Sequence, residues 1–348
     1  MAWNSWLTYR LVNNPSDENN ESVSNPDTMI VNHTINGYTT DITETVKKVQ
    51  SRVVSVLATV DERTVTGSGV VYRSSENDCY ILASYTTVQN SSEIEVRLDS
   101  GVKLPAELVG GDEKTDIALL LIHPEFMVEP IDFGDSDIVK QGEYVISLSG
   151  RTPSTGNGSV GFGVVSFLAQ IYREFTDEEV GWIASTLFTD IYAVDNNVGG
   201  ALVNLNGDLI GLMTRRATTV DSNSRLVSAI ASNEVQIVVD QLLSEKSVTR
   251  GFLGMIGRNV SDLELYEKSA YNLTLDNYDG VLVTEVIADS PAFQAGIQEG
   301  DILLLVNDIE IKTVADLRAL TYQIHPEDVV TVIVNRRGNT ETMSVTVR

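Results

Sequence analysis

Side chains that could act as a base or a nucleophile near neutral pH are scarce in this sequence. Histidine occurs three times, at His33, His123 and His325, and cysteine occurs once, at Cys79. One cysteine excludes an intramolecular disulfide and a metal site built from several thiolates. The sequence contains no set of histidines and cysteines with metal-ligand spacing and no glycine-rich phosphate loop. We therefore expect neither a metal nor another cofactor.

The composition limits the kinds of partner. The 348 residues include 24 lysines and arginines against 49 aspartates and glutamates, so the formal net charge is −25. Because an acidic surface repels phosphate backbones and anionic lipids, we expect no binding to nucleic acid. A length of 348 residues is enough for about two domains of ~100–200 residues each, and hydrophobic residues make up 42% of the chain, so each domain can bury a core.

The first forty residues (1–40) are predicted to form a disordered leader or tether. Residues 13–28 are rich in Asn, Ser, Asp and Pro and contain almost no apolar side chains. No apolar run approaches the ~20 residues that a membrane-spanning helix needs. We expect membrane attachment only through an anchor that this chain does not contain.

Residues 41–243 show short apolar runs separated by Gly, Asn, Asp and Ser, which predicts many strands in an antiparallel barrel or sandwich. The segment 233–243 has the pattern of a helix, and residues 244–249 are predicted to be a polar linker. Residues 250–348 begin a new set of strands with helical stretches at 290–296 and 313–324. This pattern predicts a separate small α+β domain.

An ordered set of segments resembles one known family. The resemblance to the core of HtrA/DegP-type serine proteases lies in GSGVVY (67–72), CYILASYTTV (79–88), KTDIALLLI (114–122) and TDIYAVDNNVGGALVNLNGDLIGLMT (189–214). The junction VTRGFLGM (248–255) and the phrase that begins with DGVLVTEV (279–286) are similar to that family's PDZ domain. The resemblance implies a mainly β chain with a trypsin-like double β-barrel followed by a small α+β PDZ domain.

The resemblance also assigns the catalytic positions. Aligning the family's phrases places Thr86 where the general-base histidine stands, Asp116 at the orienting carboxylate and Val198 at the nucleophilic serine. Asn196 takes the place of a glycine in the oxyanion loop. Two of the three triad positions therefore carry a different residue type.

Valine offers no nucleophilic atom, and threonine is not a base near neutral pH. Removing the nucleophile and base of a serine protease together costs on the order of 10⁶ in turnover. We therefore predict a catalytically degenerate member of the family, a pseudoprotease that is not an enzyme and acts by binding. The alternative is a hydrolase with an atypical site around Thr86, Asp116 and Asp195. By the family's layout, His123 should lie too far from the cleft to serve as a base.

The PDZ resemblance implies a peptide-binding groove. PDZ domains add an extended peptide to a sheet edge and hold its terminal carboxylate with backbone amides. The loop and following strand at this site would be Arg250, Gly251, Phe252, Leu253, Gly254 and Met255. The facing helix would contribute Leu317 and Thr321, with spacing that leaves open whether Leu317 faces the groove or the core.

The expected partners are the C-termini of proteins, unfolded polypeptides or an active HtrA-like protease that this chain would modulate. The family commonly forms trimers through aromatic residues near the start of the protease domain, so a homotrimer is a further expectation. By the same resemblance we expect an extracytoplasmic location with possible tethering to a membrane.

Overall fold

The computed structural model describes residues 40–152, 156–173, 182–192, 197–214, 226–271 and 279–348, with the backbone alone described at 169–173 and 182–184. Residues 41–348 form one compact unit. Apart from Thr40, the predicted leader lies outside the described residues. No helix within the described ranges is long and apolar enough to cross a membrane.

The first part of the chain contains a seven-stranded antiparallel sheet. Its strands are β1 (Val53–Val60), β2 (Arg63–Ser74), β3 (Cys79–Ser84), β4 (Glu93–Arg97), β5 (Lys103–Pro105), β6 (Glu107–Asp112) and β7 (Ile117–Ile122). They follow the order β5-β4-β1-β2-β3-β7-β6, which leaves an open half-barrel. Helix α1 (Asp41–Val49) precedes the sheet, and the single turn α2 (Tyr85–Val88) follows β3. The runs CYILAS and IALLLI are continuously apolar because β3 and β7 are buried almost throughout.

The second part is a closed six-stranded barrel. Its strands are β8 (Tyr144–Leu148), β9 (Val160–Arg173), β10 (Trp182–Thr189), β11 (Ala201–Val203), β12 (Leu209–Thr214) and β13 (Val227–Ala231). Helix α3 (Ser232–Glu245) follows β13 and buries Val235, Val238, Val239 and Leu242. This helical spacing of apolar residues lets α3 share one core with both sheets. Residues 41–245 are called the barrel region below.

The C-terminal region (250–348) has its own sheet and core. The strands are β14 (Met255–Asn259), β15 (Val281–Val286), β16 (Ile302–Val306), β17 (Ile309–Glu310), β18 (Val329–Arg336) and β19 (Asn339–Thr346). The sheet order is β14-β15-β16-β18-β19, with β17 paired to β16, so β14 is an edge strand. The helices are α4 (Leu265–Ala270), α5 (Pro291–Gln294) and α6 (Val314–Thr321).

Helix α6 is the element that faces the edge strand β14. Thr313 caps its N-terminus. The Thr313 hydroxyl accepts from the amide of Asp316, and the Asp316 carboxylate accepts from the amide of Thr313. The sequence predicted a helix to residue 324, but α6 ends at Thr321. Pro326 disfavours the helical conformation at His325, so the helix could not continue far beyond this point.

The observed architecture confirms the predicted fold class. The chain is mainly β, with a half-barrel and a closed barrel followed by a smaller α+β part.

Candidate functional site

Asp116 is a buried carboxylate at the turn between β6 and β7. Its side chain is 2% exposed, and its backbone adopts a left-handed conformation with φ of 61°. Oδ1 accepts from the amide and the hydroxyl of Thr86, both at 2.7 Å, and Oδ2 accepts from the Thr214 hydroxyl at 3.0 Å. The Ser84 hydroxyl lies 2.9 Å from both oxygens. The carboxylate therefore accepts hydrogen bonds from donors on β3, α2 and β12.

We call Ser84, Thr86, Asp116 and Thr214 the Asp116 cluster. Thr86, which lies at the position of the base in the family, is exposed on α2 and keeps contact with the carboxylate through its own hydroxyl. The cluster thus holds three hydroxyl groups around one carboxylate. It joins the half-barrel to β12 of the closed barrel.

The loop that carries Val198 lies beside this cluster. The Val198 carbonyl accepts from the amide of Ser68 at 2.9 Å, and Gly199 has φ of 80°. A Cβ atom at Gly199 would lie 2.3 Å from the Ser68 carbonyl oxygen and 2.8 Å from the Ser84 nitrogen. Only glycine permits this approach, so the loop packs against the end of β3 at this point. The Val198 side chain is half-buried.

The other residues considered for this site lie elsewhere or outside the described ranges. His123 follows β7 at the end opposite Asp116, and its Nδ1 lies 3.0 Å from the Asp78 carboxylate. His325 lies near Asp328 in the C-terminal region. Asp195, Asn196 and His33 are outside the described residues.

A second candidate site is the groove between β14 and α6. Its closed end is a cavity of about 50 Å³ that collects all the predicted peptide-binding residues except Arg250, namely Gly251, Phe252, Leu253, Gly254, Met255, Leu317 and Thr321. Val314, Arg318 and Ser185 of β10 complete the lining. The structure therefore places Leu317 both at the groove and in the core of the C-terminal region, and Leu320 in that core.

The two loop glycines are needed for packing within the chain. A Cβ atom at Gly254, where φ is 81°, would lie 2.2 Å from Cβ of Ser290. At Gly251 it would lie 2.5 Å from Cγ1 of Val347, and the Gly251 amide donates to the carbonyl of Thr321 at 2.8 Å. The hydrogen bond to Thr321 joins the loop to the end of α6, and the close contacts of the two glycines pack it against Ser290 and Val347.

The groove opens into a larger cleft of about 630 Å³ next to the barrel region. One wall comes from β14 and α6, including Ile256, Arg258 and Val314, and the other includes Leu168 and Thr186 of β9 and β10. A chain leaving the groove along β14 would therefore pass between the two regions.

Arg250 does not line the groove, in contrast to the sequence prediction. Its guanidinium forms a two-pronged ion pair with the carboxylate of Asp112, at 2.8 and 2.7 Å, and lies 5.0 Å from the centre of the Tyr322 ring. Burial alone would raise the pKa of Asp112, but hydrogen bonds from Arg250 and Thr115 and the charge of Arg250 outweigh it and lower this pKa. Arg250 therefore neutralises a buried carboxylate of the barrel region.

Sequence reasoning missed the polar contacts that surround the groove. Arg318 on α6 donates to the Ser185 hydroxyl at 2.7 Å and to the Asp137 carboxylate at 3.0 Å, and its Nε lies 3.3 Å from Glu234. Glu234 on α3 is fully buried and accepts from the Tyr322 hydroxyl. Burial raises the pKa of Glu234, against the nearby charge of Arg318. One local signal in the sequence pointed to part of this arrangement. Asp112 stands three residues before Thr115, a spacing at which an aspartate side chain can accept from the backbone of a turn.

Comparison with known proteins identifies the two regions. A model of the trypsin-like peptidase domain matches residues 67–212, and a model of the PDZ domain matches residues 254–347. Serine protease Do-like HtrB of Bacillus subtilis is 33% identical over 283 residues, which cover 80% of this chain and 61% of that protein. Serine protease Do-like HtrA of Lactobacillus helveticus is 30% identical over 282 residues, which cover 80% of this chain and 67% of that protein.

Solved structures agree on the fold. The structure described as HtrA-type protease AlgW with tripeptide superposes with a TM-score of 0.61 at 24% identity and covers 87% of this chain and 95% of that chain. Several further relatives are named periplasmic proteases.

These comparisons contradict the prediction that this chain is not an enzyme. The matching domain is a peptidase domain, and the relatives are named serine proteases or endoproteases. Nothing in them indicates inactivity, so the residue types at Thr86 and Val198 do not establish it. The predicted trypsin-like and PDZ domains are confirmed. The chain belongs to the HtrA/DegP family of serine proteases, with a trypsin-like peptidase domain followed by a PDZ domain.

Proposed function

We propose that this chain binds polypeptides by their free C-terminus in the groove between β14 and α6. The observation that carries the proposal is the cavity where the loop 251–254 meets α6. Within the described part of the chain, the amides of Leu253 and Gly254 have no acceptor. Two neighbouring free amides in a glycine loop suit a terminal carboxylate.

The neighbouring elements support the same proposal. β14 is an edge strand, so an extended peptide can continue the sheet through main-chain hydrogen bonds. The side chains of Phe252, Leu253, Met255 and Leu317 give the cavity an apolar lining. Because the cavity is small, we expect a short aliphatic last residue to bind better than an aromatic one. The solved structure of the HtrA-type protease AlgW with a tripeptide supports peptide binding in this family.

Fluorescence anisotropy with labelled octapeptides tests the proposal. The peptides end in Val, Ala, Leu or Phe, each with a free carboxylate or as the amide. We expect saturable binding of the free acids, strongest for Val or Ala, and at least a tenfold loss for the amides. The variant Thr321→Phe should block the cavity and abolish binding, whereas Val329→Ala, on an exposed strand position, should not. Equal binding of acids and amides would refute the proposal.

Peptide hydrolysis is the second candidate function, and the family membership favours it. Val198 cannot attack, so we infer that hydrolysis would use the exposed hydroxyl of Thr86, which contacts Asp116 at 2.7 Å. The atypical site proposed from the sequence also includes Asp195, which lies outside the described residues. Digestion of unfolded casein and labelling by a fluorophosphonate test this candidate. Thr86→Val should abolish cleavage, and Thr64→Val, at another exposed threonine, should not.

We further infer an extracytoplasmic location, because several relatives are named periplasmic proteases. Holding of unfolded polypeptides, modulation of an active HtrA-like protease and assembly into a homotrimer remain predictions. Light scattering of the purified chain, alone and with such a protease, measures the assembly states directly.

A further inference from the structure

We propose that Asp112 of the peptidase domain is a positioning residue of the peptide groove in the PDZ domain, acting through Arg250. This inference rests on the proposed binding of C-termini. The two side chains are 7% and 4% exposed and are joined by two parallel hydrogen bonds of 2.8 and 2.7 Å. The groove would then depend on a residue outside its own domain.

Arg250 is placed to hold both walls at the closed end of the groove. It directly precedes Gly251, the first residue of the loop that lines the cavity. Its guanidinium lies over the ring of Tyr322, which follows the lining residue Thr321. The amide of Gly251 donates to the carbonyl of Thr321, so the loop and the end of α6 are joined next to this cation.

Asp112 is itself rigidly held. It ends β6, and its Oδ2 accepts from the amide of Thr115 at 3.0 Å and from the Thr115 hydroxyl at 2.5 Å. Removing its charge would take away the two-pronged ion pair that fixes the buried guanidinium of Arg250. The guanidinium would then move toward water and displace Gly251 and Tyr322. The PDZ domain has its own apolar core, so we expect a changed groove in a folded domain.

The test compares two aspartates of the full chain that each pair with an arginine. The probe is a labelled octapeptide ending in Val with a free carboxylate, and the measurements are its Kd and the unfolding midpoint. We expect Asp112→Asn to raise Kd at least tenfold at a temperature where the protein is folded. The control Asp99→Asn, which removes the partner of Arg151 at 2.7 Å within the barrel region, should change Kd less than twofold.

A second variant keeps the test valid if Asp112→Asn fails to fold. Asp112→Glu keeps the charge but displaces the paired oxygens, and we expect Kd to rise between threefold and tenfold. A purely structural role would lower the unfolding midpoint and leave the Kd of the folded protein unchanged. That result, with wild type binding the peptide, would overturn the inference and leave the proposed function intact. Failure of the wild type to bind any free-acid octapeptide would instead remove both.

Discussion

The Asp116 cluster and the β14–α6 groove differ in how they satisfy their polar groups. In the cluster, one buried carboxylate accepts from three hydroxyl groups and an amide, all within the protein. In the groove, β14 is an edge strand with one side unpaired in the sheet. The amides of Leu253 and Gly254 have no acceptor among the described residues. The first site is closed by its own hydrogen bonds, and the second presents donors to a partner.

This difference predicts separate consequences of mutation. Loss of the Asp116 carboxylate should act mainly on stability, because the donors around it would lose this acceptor. Changes in the groove should act mainly on peptide affinity.

The largest effect is expected for Asp116→Ala. The substitution removes the carboxylate that accepts from the buried hydroxyls of Ser84 and Thr214, and a buried hydroxyl left unsatisfied costs about 1–3 kcal/mol. We expect the free energy of unfolding in urea to fall by at least about 2 kcal/mol. Peptide affinity of the folded protein should stay within twofold. A tenfold change in Kd with unchanged stability would reverse the proposed difference between the two sites.

Gly254→Ala should affect both stability and binding. The new Cβ would lie 2.2 Å from Cβ of Ser290 at a left-handed backbone position, which is expected to cost about 1–3 kcal/mol and to displace the amides proposed to bind the carboxylate. We expect Kd to rise at least tenfold. Gly296→Ala is the matched control, since Gly296 has φ of 86° with no neighbouring atom within 4 Å. Equal effects of both variants on Kd would show that backbone strain alone is responsible.

Glu234→Gln should change the pH dependence of stability. Burial raises the pKa of Glu234 in the folded state, so as the pH falls toward its unfolded pKa the native protein takes up a proton before the unfolded chain does. Wild type should therefore gain stability relative to the variant as the pH falls from 7 to 5. Urea unfolding across this range measures the difference. Glu245→Gln, at the exposed end of α3, should show no such trend, and a parallel Glu234→Gln profile would contradict the prediction.

The smallest effect is expected for Ser185→Ala. The variant removes one hydrogen bond from Arg318, which keeps its contacts with Asp137 and Glu234. We expect Kd for the octapeptide to rise less than about threefold, within the net value of one hydrogen bond. A loss of tenfold or more would mean that Ser185 contacts the peptide directly.

Much of this organisation could be predicted because it depends on neighbours in the chain. The alternation of apolar runs predicted the strands, and the phrase RGFLGM predicted the loop that lines the groove. The triad alignment was predicted from the family's phrases around positions 86, 116 and 198 and stays a prediction; in the structure, Gly199 brings its loop to β3. The prediction from Thr86 and Val198 that the chain is not an enzyme was wrong, because its peptidase domain and its relatives belong to a family of proteases. The residue types at two positions were not enough to exclude activity.

The sequence by itself determined which side chains stand at positions 86, 116 and 198 and where glycine allows the backbone to turn. Only the tertiary structure decided that Arg250 pairs with Asp112, a residue 138 positions away, and does not face the groove. It also decided that three hydroxyls from separate elements converge on Asp116. Such contacts depend on how distant strands pack, and local patterns of hydrophobicity and turn residues carry no information about them.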